Sequence, residues 1–277
     1  MSFALVGTRR HRTMAAHPDQ LRVPPETLEL RPKMGPGWIS VFGLPLARVA
    51  LAVTAQLGLA LAFAVTRGPG AWRWAAGWWV AWLVPVNLAT MVLLMRRQRA
   101  EGHRFGELFG PPSRPPRRDL PWYLLALVVS VPLGILPNLL MARLLWGSAF
   151  AGAAASFATM PIKLVWLLAA LVPVTQGLTE PPLYLGYLLP RLRCLGMRPG
   201  RAIAVTAATM SLQNVFFPWS GDWRFALWRA LMLLPLCLWL AWLVGRRPSL
   251  LPYLAVAHGV MNLSLVFLVL RLSLPFP

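Results

Sequence analysis

The chain has 277 residues, 57% of them hydrophobic and only 13% charged, and its mean hydropathy is positive at +0.59. A soluble domain has no interior large enough to bury that apolar fraction, so the composition excludes a soluble globular protein and fits a polytopic, all-α helical membrane protein. The net charge of +19 does not point to nucleic acid: the arginines stand at the ends of apolar runs rather than on one continuous face, where topology and anionic headgroups explain them.

Residues 1–37 are polar and rich in Arg and Pro, without the apolar core and small-residue cleavage site of a signal peptide. They read as a cytosolic tail, followed by a single transmembrane domain over 38–277. The first membrane helix is expected from about Val41 to Val65, with Arg48 near its start. The second runs from about Trp72 to Met95, where Trp72, Trp74, Trp78, Trp79 and Trp82 form an interfacial belt. Between Arg96 and Arg118, seven arginines and the string PPSRPPRR make a loop that should not pack and should stay at the cytosolic face. The third helix spans about Leu120 to Trp146, with Pro132 and Pro137 tolerated where neighbours satisfy the freed carbonyls.

The small-residue run AFAGAAASFATM is either a short re-entrant segment or the start of a fourth helix covering Ile162–Leu178. Beyond Arg191, Arg193, Arg198 and Arg201, helices are expected to about Trp219, over Phe225–Val244 and over Leu250–Leu270. That makes seven spans, or eight if the small-residue run crosses. With the N-terminus inside, the arginine-rich loops at 96–118, 191–201 and 246–247 all lie on the cytosolic side of an inner (plasma) membrane. Cys194 and Cys237 are far apart, one in a basic loop and one in an apolar run, and indicate neither a disulfide nor a thiolate metal site.

Two ionisable residues stand out. Of the eight acidic residues only Glu180 follows directly on a membrane-length apolar run, and of the four histidines only His258 lies inside one. An ionisable group at membrane depth is costly, which makes each a functional-site candidate. Glu180 closes a helix arriving at the inner face, and His258 lies eight residues into a helix starting there, about 12 Å deep at the helical rise. Asn214, thirteen residues past Arg201, lies roughly 20 Å along its own helix, so the three can share a cavity open to the cytosol.

The string from Glu180 to Leu192, EPPLYLGYLLPRL, resembles the first signature of the CPBP intramembrane metalloproteases, the group of the type II CAAX prenyl endopeptidases. That signature reads Glu-Glu, three residues, then Arg-Gly-Tyr-Leu-Leu-Pro-Arg-Leu. The last signature, His, three residues, Asn or Asp, is matched by His258 and Asn262. The middle one, Phe, three residues, His, falls on Met210 to Asn214. The resemblance runs from Val172 to Leu265 and implies a CPBP-like core over about 161–272. Departures fall on catalytic positions: Pro181 replaces the second glutamate, Leu185 the arginine and Asn214 the middle histidine.

The resemblance implies peptide-bond hydrolysis at the membrane, with Glu180 activating water and His258, Asn262 and Asn214 binding a metal or polarising the scissile carbonyl. Zinc wants three protein ligands and an open position. Here His258 offers one nitrogen, and Asn262 and Asn214 offer only neutral amide oxygens, which suit zinc poorly. A route without metal uses Glu180 as base and His258 with the asparagines as oxyanion donors. The alternative is a pseudoprotease that binds a lipidated or transmembrane peptide, or a partner membrane protein, without cutting. A small transporter is a weaker third reading, since the sequence has no inverted repeat or broken-helix pair.

Each residue also has a structural reading. Glu180 pairs with Arg191 or Arg193 or faces interfacial water; His258 is a satisfied core histidine; Asn262 clamps two helices; Asn214 is favoured as structural, with Gln213 adding only generic polarity. Arg229 snorkels or pairs with Asp222. Asn138 or Gln176 beside Glu180 would support a replacement site.

Overall fold

Long apolar stretches can satisfy their backbone in a bilayer only by coiling into helices, and this chain does so almost throughout. A computed structural model describes residues 37–110 and 116–274, so the tail expected at 1–37 lies outside the described residues but for Gly37. Among them no strand is present. The elements are α1 (Trp38–Arg67), α2 (Ala71–Gly77), α3 (Trp79–Ala100), α4 (Leu120–Trp146), α5 (Ala151–Ser156), α6 (Ile162–Pro181), a π-helical segment (Pro182–Leu188), α7 (Leu189–Cys194), α8 (Pro199–Leu212), α9 (Trp223–Leu231), α10 (Leu234–Arg246) and α11 (Leu251–Ser273).

Six stretches of the described residues are long and apolar enough to cross a membrane, as in an integral membrane protein: 40–77, 79–100, 120–146, 162–194, 223–246 and 248–273. The third has the bounds read from the sequence. The α8 helix, the remaining one of the seven, is only 14 residues long, about 21 Å at the helical rise, before a short 3₁₀ turn at Gln213–Phe216. The small-residue run forms only the six-residue α5. The first span continues through α2, so Trp72 and Trp74 belong to its end and the second begins at Trp79.

Two further differences bear on the site. Glu180 does not end a membrane helix. Pro181 and Pro182 lack N–H groups and would break the α-helical ladder, but the wider π turns of Pro182–Leu188 carry the chain on into α7 as one continuous stretch. The loop at 96–118 is also packed over its first half. The Glu101 carboxylate is bound by Arg97 (2.7 Å) and by Arg191, and Leu108 is buried, its carbonyl so close to Gly186 that a Cβ there would collide. Nearby, the Arg104 backbone N–H and the His103 ring hold the exposed Glu107 carboxyl below the usual carboxylate range.

The buried apolar residues fall into two main clusters. One gathers Val41, Leu94, Leu183, Met210 and Leu254; the other gathers Ala52, Val86, Val172, Phe217 and Val266. Each of α1, α3, α11, α6 with its π segment, and α8 with its 3₁₀ turn passes from one cluster to the other. The residues between those points form the candidate site.

Candidate functional site

Between the two apolar clusters lies a polar layer to which five helical segments each contribute. Arg48 comes from α1, Asn87 from α3, Gln176 and Glu180 from α6, Gln213 from the turn after α8, and His258 and Asn262 from α11. Arg48 and Asn87 are 1% and 0% exposed, and Gln176, Glu180, Gln213 and Asn262 are buried too. In such a setting an unpaired polar atom is expensive, so each must be met by another.

The guanidinium of Arg48 is the hub. It donates from Nε to Gln213 Oε1 (2.9 Å), from Nη1 to Asn87 Oδ1 (2.8 Å) and from Nη2 to Gln176 Oε1 (3.1 Å). Its Nη2 also stands 3.7 Å from Glu180 Oε2, and its Cζ lies 5.1 Å from the centre of the Phe217 ring. The two glutamines pass the contact on: Gln176 Nε2 donates to Glu180 Oε2 (3.0 Å) and Gln213 Nε2 to Glu180 Oε1 (2.9 Å). Tyr184 donates its hydroxyl to Gln213 Oε1 (2.8 Å), and Asn87 Nδ2 donates to Thr175 Oγ1 (3.2 Å). Both carboxylate oxygens therefore accept from fixed amides, and the charge is balanced by one arginine.

Local structure makes this arrangement. Gln176 and Glu180 are one turn apart on one helix face, so the amide reaches the carboxylate within α6. His258 is brought in by glycine. Where α6 and α11 cross, a Cβ on Gly177 would lie 2.6 Å from the Ala255 carbonyl oxygen, and one on Gly259 would collide with that of Pro173. Close approach of this kind is what small residues permit between membrane helices. It sets His258 Nε2 at 3.6 Å from Glu180 Oε2, beyond good hydrogen-bond length, and that buried nitrogen has no other partner among the described residues.

Of the residues singled out in the sequence, Glu180, His258 and Asn262 lie in the layer. Asn262 donates its amide to the His258 carbonyl (2.7 Å), satisfying its own helix. Asn214 turns away: its Nδ2 donates to the carbonyls of Met210 (3.2 Å) and Ser211 (3.1 Å), capping the end of α8, while Gln213 faces Glu180. One residue along a helix rotates the side chain by about 100°, which separates the two roles. Gln176 lies beside Glu180, whereas Asn138 accepts from Trp228 Nε1 (3.0 Å) in another part of the bundle. Arg191 pairs with Glu101, and Arg193 donates to the Gly245 carbonyl (3.4 Å). Arg229 is buried rather than snorkelling and donates to the Asn214 carbonyl (2.9 Å).

Sequence reasoning missed Arg48, Asn87 and Gln213 as site members. A signal existed for Arg48, a lone cation ten residues into an apolar helix, by the same rule that selects Glu180. The donor set does not fit zinc. One imidazole nitrogen and a carboxylate already holding two amide bonds fall short of three ligands, and no group of three His, Cys, Asp or Glu gathers among the described residues. The chain matches no family model, no curated protein and no solved structure, so the CPBP resemblance stands on its quoted residues.

Proposed function

We propose that this chain is a CPBP-like inner-membrane protein, with its N-terminus in the cytosol, that binds a lipidated or transmembrane peptide or a partner membrane protein without cleaving it. One observation carries the reading: both oxygens of Glu180 accept amide hydrogen bonds while Arg48 balances the charge. A general base must offer a free lone pair to water. Here each oxygen already accepts an amide bond inside a layer where Glu180 is only 7% exposed, so its remaining lone pairs face protein rather than open water, and Glu180 acts as the counter-ion that holds five helical segments in register. Pro181 and Leu185, at positions where the family carries Glu and Arg, agree with this loss.

A second reading, hydrolysis without metal, is favoured by the unpartnered Nε2 of His258 beside Glu180. Purified protein in proteoliposomes, given a farnesylated CAAX-ended peptide carrying a fluorophore, separates the two. The binding reading predicts a saturable rise in anisotropy, with product no greater for the wild type than for Glu180→Ala. Product formed by the wild type and lost in Glu180→Ala would establish the hydrolase. Zinc content near one per chain that disappears in His258→Ala would also contradict the binding reading.

A further inference from the structure

The α4 helix is the least enclosed of the spans, and its apolar side chains meet the membrane directly: Leu136, Leu140 and Leu144 are 63%, 58% and 69% exposed. It carries Pro132 and Pro137 within its length, and the partner stretch is interrupted between α9 and α10, just before Pro235. Proline removes a helix hydrogen bond and opens the packing around it. Between α4 and the α9–α10 junction lies a groove of about 770 Å³, walled by Leu136, Leu140, Leu231, Leu234 and Pro235, with Arg143 at one end. From Leu136 to Arg143 the groove follows α4 for about 10 Å, much of the roughly 15 Å depth of one leaflet.

Arg143 is exposed, one turn before the end of α4 and three residues from Trp146, a residue type that favours the headgroup level. No described residue pairs with its guanidinium by hydrogen bond or ion pair. A groove that is apolar along its length and cationic at its interfacial end matches a molecule with an acyl chain and a negative head. We infer that this groove is a binding site for an anionic phospholipid, the acyl chain lying along Leu136, Leu140 and Leu231 and the phosphate meeting Arg143. The site is separate from the polar layer, so it stands whether or not the peptide-binding reading does.

Native mass spectrometry of the full chain in detergent, titrated with phosphatidylglycerol or phosphatidylcholine of matched chains, tests it. The expected result is about fivefold tighter retention of phosphatidylglycerol, the usual worth of one basic side chain at a lipid surface. Arg143→Gln should bring the two lipids to parity, and Leu140→Trp, filling the groove, should lower retention of both. Size-exclusion profiles matching the wild type confirm that each variant is folded. Equal retention of the two lipids by the wild type, or a preference unchanged in Arg143→Gln, would overturn the site. A dimer broken by Leu140→Trp would give the groove to a second copy and overturn it equally.

Discussion

Two glutamates in this chain meet arginine away from water, and they are held in different ways. Glu101 has direct partners: Arg97 and Arg191 touch its oxygens, and its side chain is 1% exposed. Glu180 meets its arginine mainly through intermediaries, since Arg48 stands at 3.7 Å while Gln176 and Gln213 each bond to both charged groups. The difference follows from position. Glu101 lies at the end of α3, where one loop has to be fastened to one helix, and two cations suffice. Glu180 lies between two apolar clusters, where the same charge has to be shared among segments from five parts of the chain. A carboxylate in the first setting is a latch, and in the second it is a joint.

The sharpest way to break this comparison is to remove the hub. Arg48→Met leaves a buried carboxylate without its counter-ion and the side-chain oxygens of Asn87 and Gln176 without a donor, and should cost about 3–5 kcal/mol. Thermal unfolding in detergent, followed by tryptophan fluorescence, measures it. A loss no larger than that of an exposed-site variant such as Arg73→Met would show that the layer does not depend on the arginine.

Glu101→Gln should cost less, about 2 kcal/mol, because its cations are nearer the surface and water can replace part of what they lose. Its effect should be local. Limited proteolysis should cut faster within 101–118 while the midpoint of global unfolding moves only slightly. Faster cutting throughout the chain would mean that Glu101 supports the whole bundle rather than one loop.

The smallest expected effect compares neighbours. Gln213→Leu removes a donor to Glu180 and an acceptor for Arg48 and Tyr184, whereas Asn214→Ala removes only the cap of α8. The first should be the more destabilising by about 1 kcal/mol. The reverse order would place Asn214, not Gln213, in the working layer.

How much of this was legible in the sequence follows from the same contrast. Helix existence came from apolar length, and α4 has the bounds that its composition suggests. Glu180 and His258 were visible because each is a lone ionisable group in or beside an apolar run. Their meeting was not fixed by sequence, since it depends on Gly177 and Gly259 letting α6 and α11 approach. The continuation past Pro181 was hidden because two prolines read as a stop, and a π segment is the exception that carries a helix through them. Arg48, Asn87 and Gln213 are separated from Glu180 by long stretches of chain; only a shared depth in the bundle identifies them. Marking the lone cation of the first apolar run and the amide inside the second would have selected Arg48 and Asn87. Gln213 would still have been ambiguous beside Asn214, because only the helix phase decides which of them faces inward.

The central claim is that Glu180 serves Arg48, and a double-mutant cycle tests it directly. Arg48→Met and Glu180→Gln each leave one uncompensated charge in the layer, while the double variant leaves none. Measured as changes in unfolding free energy in one detergent, the double variant should lose less than the two single losses together, by about 1–3 kcal/mol. Losses that simply add would show that the two residues act independently, and Glu180 would then be free for the chemistry that the binding reading denies it.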